Sequence, residues 1–262
     1  MKRYVIVLLL AMLSFSAFAQ RKALVIGNSD YGKHEFKSSL NDAQLAADAL
    51  KALDYEVTQK SELEYADFIS EIDRFKKNLN TGDVAVFYFS GFTKQQCDKN
   101  YLMPIPTKMD KEEHLISVDV VLEALSRATD SFMFLESRQI PQSFFKNPCG
   151  KNKGLAPVIR LAANQGFAMA ASVDEQLKAN DAKYSVFTHA LFKNMTSEMM
   201  DFPDLMSATV QDVKTQTNND QLPYWKSNRK APFSFYHPEQ PLKFRFRLPS
   251  YNSLEGGGSY NF

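Results

Sequence analysis

An excess of charge of either sign is missing from this chain. Thirty-one Lys and Arg face 30 Asp and Glu, and removing Lys2 and Arg3 with the N-terminal leader described below leaves 29 against 30. A balanced chain offers no electrostatic reason to bind nucleic acid, so none is expected as a partner. Metal and nucleotide signatures are missing too. The run Asp110, Lys111, Glu112, Glu113 mixes signs without ligand spacing. Gly256-Gly257-Gly258 does not stand between a strand and a helix, where a phosphate cradle belongs, and reads as a linker. No cofactor and no metal are expected. Beyond residue 19 no run reaches the roughly 20 apolar residues that span a bilayer, so no membrane span is expected there. Internal repeats and interior linkers are also lacking. A hydrophobic fraction of 44% with 23% charged residues excludes disordered and collagen-like classes. The ~240 residues after the leader suit one large domain with a well-filled core.

What is present begins with the leader. Lys2 and Arg3 precede an apolar run from Tyr4 to Leu13, and Ala17-Phe18-Ala19 supplies a small-residue site before Gln20. This pattern predicts a signal peptide over residues 1–19, cut after Ala19, and an exported protein, periplasmic or extracellular. No Cys follows the site, so lipid attachment is not indicated. The two cysteines of the chain, Cys97 and Cys149, are then expected to form one disulfide, because the compartment is oxidising. A closed loop of about 52 residues contributes on the order of 4 kcal/mol in the chain-entropy account. The alternative, Cys149 as a nucleophile, requires a nearby base that the sequence does not display.

Strands and helices alternate along the chain. Lys22 to Asn28 is a nearly all-apolar strand, and Asn41 to Leu53 has helical apolar spacing behind an Asn41/Asp42 cap. Tyr55 to Lys60 alternates like a strand, and Tyr65 to Leu79 puts Phe68, Ile69, Ile72, Phe75 and Leu79 on one helical face. Asp83 to Gly91 reads as a strand running into a Gly turn. Ser117 to Arg127 reads as a helix behind a Ser cap, and Ser131 to Arg138 contains a second apolar strand. Gly166 to Ala171 supplies a further strand, and Tyr184 to Asn194 and Asp204 to Thr215 two more helices. The alternation predicts a mainly parallel sheet covered by helices on both faces. Composition shifts after Tyr236, so residues 238–262 read as a Pro- and Gly-bearing flexible tail; within it 242–248 (LKFRFRL) alternates as an edge strand would.

Five ordered blocks carry a resemblance: RKALVIGNSDYGK, NDAQLAADALKALDYEV, GDVAVFYFSGF, NYLMPIPT and QLPYWKSNRKAPFSFY. Together they are similar to the bacterial caspase and metacaspase family, from about Arg21 to Tyr236. The resemblance implies a caspase-like domain over residues 20–237, a three-layer αβα sandwich around a mainly parallel six-stranded sheet. It also implies a His and Cys pair that hydrolyses peptide bonds. Relatives keep their general base in a Gly-His-Gly turn; the similar triplet here is Gly91-Phe92-Thr93. Relatives keep their nucleophile in Asp-Ala-Cys-Arg; the similar stretch is Leu135-Glu136-Ser137-Arg138. Phenylalanine cannot move a proton. A lone Ser hydroxyl needs an adjacent base, and Leu135 replaces a carboxylate that recognises basic substrates.

The catalytic dyad is thus expected to be degenerate at Phe92 and Ser137, with Gly91, Leu135, Glu136, Arg138, His34 and Asp174 completing a former cleft. His34 follows the first strand and is the histidine best placed to rescue Ser137; a surface role is the ordinary reading. His189 lies in a helix, and His114 and His237 in polar or Pro-flanked segments. Asp174 and Glu175 read as solvated loop charges, Trp225 as a packing residue before the last strand, and Asn194-Met195-Thr196 as a chance glycan pattern. The leading expectation is an exported pseudo-peptidase that binds a protein or peptide as an added strand, with Phe92 as an apolar contact point. Two alternatives stay open: a residual peptidase using Ser137 or Cys149, and an envelope or secretion-associated component docking through its tail.

Overall fold

A computed structural model describes residues 19–32, 34–105, 114–139, 149, 154–173, 175, 182–239, 242–244 and 246–251. Residues 1–18 of the expected leader at 1–19, Asp174, the charged run at 110–113 and residues 252–262 lie outside the described residues. Six strands form the main path of one sheet, in the order β2-β1-β3-β6-β7-β8, and two short strands, β4 and β5, hang from β3. They are β1 (Arg21–Gly27), β2 (Glu56–Ser61), β3 (Val84–Gln96), β4 (Lys99–Leu102), β5 (Ile116–Ser117), β6 (Asp130–Gln139), β7 (Gln165–Met169) and β8 (Tyr224–Ser227). The pairs β1·β2, β1·β3, β3·β6 and β6·β7 are parallel, and β7·β8 is antiparallel.

Among the described residues five helices cover the two faces: α1 (Ser39–Ala52), α2 (Tyr65–Asn78), α3 (Val118–Leu125), α4 (Val186–Ser197) and α5 (Phe202–Gln216). Strand alternation divides the core between them. Val86, Tyr88, Phe132, Phe134 and Ala168 pack with α1, α4 and α5. Phe87, Phe89, Met133, Leu135 and Phe167 pack with α2 and α3 on the other face. Helix α1 crosses close over the end of β1, where a Cβ on Gly27 would lie 2.7 Å from the Ala43 Cβ and 3.0 Å from the Ser39 carbonyl oxygen.

Four expectations need correction. First, β3 does not turn at Gly91; it runs on to Gln96, because β4 folds back and pairs with residues 93–96. The hairpin turn is Cys97-Asp98, both with positive φ (49° and 60°), which matches the right-handed twist of two-residue hairpins. Second, α1 starts at Ser39, so Asn41 and Asp42 lie within it rather than capping it. Third, Trp225 lies inside the last strand, not before it, edge-on to Phe202 at 6.1 Å. Fourth, the described residues of 242–248 form no strand. Their alternation is spent on a helical surface: Leu242, Phe246 and Leu248 are half-buried against the α1/α4/α5 core, and Lys243 N–H donates to the Ala52 carbonyl at 3.0 Å. Leu242, Phe246, Leu248 and Tyr251 are therefore packed, not part of a loose tail.

Candidate functional site at the carboxyl edge of the sheet

The carboxyl ends of β1, β3 and β6 meet at one edge, where open α/β sheets place ligands. Register sets what points where. Gly91 pairs with Ser137 and Phe92 with Arg138, so alternation sends Phe92 and Arg138 to one face and Ser137, with Leu135, to the other. Leu135 is fully buried in the α2/α3 core.

Phe92 sits in a small closed cluster with Tyr31, Phe36, Met103 and Ile105. Its ring lies 4.7 Å from that of Tyr31 and 6.0 Å from that of Phe36, and only 8% of the residue is exposed. Backbone bonds seal the cluster. Phe92 N–H donates to the Tyr31 hydroxyl at 3.0 Å, the Tyr31 hydroxyl donates to the Met103 carbonyl at 3.1 Å, and Met103 N–H donates to the Phe92 carbonyl at 3.0 Å. Burial pushes the Tyr31 phenol well above its ordinary range, so it stays protonated as a donor. Phe92 is thus a packed residue rather than an apolar contact point open to a ligand. His34 meets this cluster from outside, its ring edge-on to Phe92 at 6.5 Å.

Titratable groups gather two residues back along the strands, on the face that Phe92 and Arg138 share. Glu136 on β6 is 1% exposed and Asp42 on α1 is 0% exposed. Asp42 accepts from the Ser185 backbone N–H at 2.8 Å and from the Ser185 hydroxyl at 2.6 Å, tying α1 to the start of α4. The Ser38 and Ser185 hydroxyls share a bond of 2.9 Å, and Ser90 donates to Asp42 at 3.4 Å. Thr188 donates to Glu136 at 3.5 Å and bonds the Tyr88 hydroxyl at 2.6 Å. Burial raises both carboxyls, Asp42 to about 6 and Glu136 to about 8. Glu136 rises further because the Asp42 charge adds to desolvation, whereas bonds from Ser185 hold Asp42 down. The two carboxyls titrate as a pair in one dry site, and burial with mutual repulsion favours the protonated form of Glu136. Arg138, whose guanidinium lies 4.3 Å over the Phe36 ring, favours the charged form of both.

Asp42, Ser185, Thr188 and Tyr31 are site residues that the sequence reading missed. A signal for Asp42 existed: it falls at helical spacing with Ala46 and Ala49 on the buried face of an Ala- and Leu-rich helix, where a carboxylate demands a partner. Ser185 and Thr188 carry no such signal, since their partners come from distant elements.

Cys97 and Cys149 are joined in a disulfide with a Cα–Cα distance of 5.2 Å, tying the β3–β4 hairpin to the loop after β6. In that pairing neither sulfur is a thiolate, the form that attacks a carbonyl. His114 stacks on Tyr65 at 5.9 Å, far from these groups in the chain and on the α2 side. Among the described residues no group of three metal-ligating side chains occurs and no helix is long and apolar enough to cross a membrane.

The profile of the caspase domain family matches residues 20–234. Among solved structures, a protein of Geobacter sulfurreducens is similar over 86% of this chain and 100% of its own, at 16% identity and a TM-score of 0.60. Caspase-1 from Spodoptera frugiperda is similar over 83% of this chain and 90% of its own, at 13% identity and a TM-score of 0.58. At these identities the likeness is one of fold. No curated protein sequence matches the chain.

Proposed function

This chain belongs to the caspase-domain family, and from that premise we propose that it is an exported, catalytically inactive member that works by binding a protein or peptide. The observation that carries the reading is the seat of Phe92: a ring without a titratable atom, enclosed by Tyr31, Phe36, Met103 and Ile105, where relatives are expected to hold a general base. Ser137 lies on the other face of the sheet and would need a different base to lose its proton. The Cys97–Cys149 bond suits an oxidising compartment and withdraws the two thiols from chemistry. Binding needs no proton transfer. Strands β2 and β8 end the main path of the sheet, and an edge strand can accept an extended peptide through its backbone.

The test uses the chain from residue 20 to 262. Peptides carrying Arg, Lys or Asp are expected to stay intact, and fluorophosphonate and iodoacetamide probes to leave Ser137 and Cys149 unlabelled. Turnover that disappears in Ser137→Ala overturns the reading.

A further inference from the structure

The C-terminal segment does more than end the chain. Residues 242–244 and 246–251 lie as a strap between the end of α1 and the carboxyl edge of the sheet, with Leu242, Phe246, Leu248 and Tyr251 packed against the α1/α4/α5 core. At its far end the strap meets α4 at His189. His189 Nε2 lies 2.9 Å from the Pro249 carbonyl oxygen, and the Tyr251 ring stands edge-on to the imidazole at 5.8 Å.

The chemistry of that contact assigns the tautomer. A carbonyl oxygen only accepts, so Nε2 must carry the hydrogen and Nδ1 the lone pair. Nδ1 is buried and has no hydrogen-bond partner among the described residues. A second proton would create a charged N–H on a buried atom with nothing to receive it, which is costly. Undocking the strap would let water solvate that proton. We propose that His189 is an acid-opened latch: neutral, it holds the strap down through Pro249, and protonated, it releases the strap and uncovers the Asp42–Glu136–Arg138 cluster beside Tyr251.

The surroundings agree in sign. Burial lowers the basicity of His189 below its ordinary value of 6.5, and this outweighs the Pro249 bond, which favours the proton. Lys193 on α4 also disfavours the imidazolium, and Asp212 on α5 favours it. Lys193 and Asp212 are paired at 2.9 Å, so each mutes the other. On the strap, Tyr251 stays a neutral phenol, raised first by burial and then by the nearby Glu136 and Asp42 carboxyls, with Arg138 opposing. A base weakened by docking means that docking is strongest above the ordinary imidazole value. It weakens as pH falls through the docked value, by up to about tenfold per pH unit between the two.

The experiment follows amide hydrogen exchange of strap residues 246–248 in the chain from residue 20 to 262, corrected for the intrinsic effect of pH. Helix α5 serves as the global reference. Strap protection is expected to fall by up to roughly tenfold between about pH 7.5 and 5.5 while α5 shows no fall. His189→Gln keeps an amide donor for Pro249 and cannot titrate, so its strap protection is expected to stay flat. Strap protection in the unmodified chain that ignores pH, or loss shared equally by His189→Gln or by α5, overturns the proposal. Should His189→Gln not fold, the imidazole's own NMR titration decides. It is expected below the ordinary value in the unmodified chain and to return toward it in Tyr251→Ala; equal titrations in the two overturn the latch.

Discussion

Two neighbouring places on one face of the β3–β6 pair, two residues apart along the strands, have been given opposite chemistry. Around Phe92 the packed neighbours are Tyr31, Phe36, Met103 and Ile105, with His34 edge-on from outside, and the one phenol of the cluster is held as a donor. Around Glu136, the neighbour of Ser137, two carboxyls, Arg138, Tyr88, Thr188 and three serines share a buried network. The comparison teaches that proton-bearing groups are plentiful at this edge but employed in holding α1, α4 and β6 together. A buried titratable cluster at the carboxyl edge of the sheet is not by itself a catalytic apparatus.

The comparison can be broken at its strongest joint first. Asp42→Ala strips Ser185 of the acceptor for both its N–H and its hydroxyl, and relief of repulsion with Glu136 returns only part of the loss. Urea denaturation is expected to show about 3 kcal/mol of destabilisation; a change within experimental scatter would mean that the network is ornamental.

Next comes the apolar side. Phe92→His puts an imidazole into the Tyr31/Phe36 cluster and is expected to lower stability by about 2 kcal/mol. Combined with Ser137→Cys it is expected to leave peptide cleavage at background, because the two positions point to opposite faces of the sheet. Cleavage by that double variant would show the two sides to be in chemical contact after all.

Glu136 sharpens the contrast through pH. Its folded value is raised above the unfolded one, so the protonated form is the stabilising one. The contribution is complete below about 4.5 and lost as pH rises toward about 8. Stability of the unmodified chain is therefore expected to decline across that window, with a slope of at most about 1.4 kcal/mol per pH unit from this group. Glu136→Gln is expected to flatten the slope, read as denaturation midpoint against pH. A slope unchanged by the substitution assigns it to other groups. Smallest is Tyr88→Phe, which removes the 2.6 Å bond to Thr188 and is expected to cost about 1 kcal/mol in the same assay.

Much of the architecture was legible along the chain, for a local reason. Runs such as Ala23–Ile26 and Phe87–Phe89, buried on both faces, are apolar throughout, and the Phe68/Ile72/Phe75 spacing faces α2 to the sheet. The strands that went unread, β4, β5 and β8, are four residues or fewer, and their pairing depends on partners that no local pattern names. The site was legible by halves. Phe92 and Ser137 stood out as residue types that cannot do what relatives do, but whether Phe92 was offered to a ligand or sealed depended on Tyr31 and Met103, 61 and 11 positions away in the chain.

By itself, the amino-acid order determined the alternation of strand and helix, the absence of a proton carrier at position 92 and the family to which the chain belongs. Tertiary structure alone decided that Asp42 meets Ser185 across 143 positions, and that Glu136 lies in a medium dry enough to keep its proton. It also laid the alternating segment 242–248 across helices instead of adding it to the sheet. Propensity and periodicity are properties of neighbours in sequence. Desolvation, charge coupling and the choice of what an apolar stripe will cover depend on distances that exist only after the chain has closed on itself.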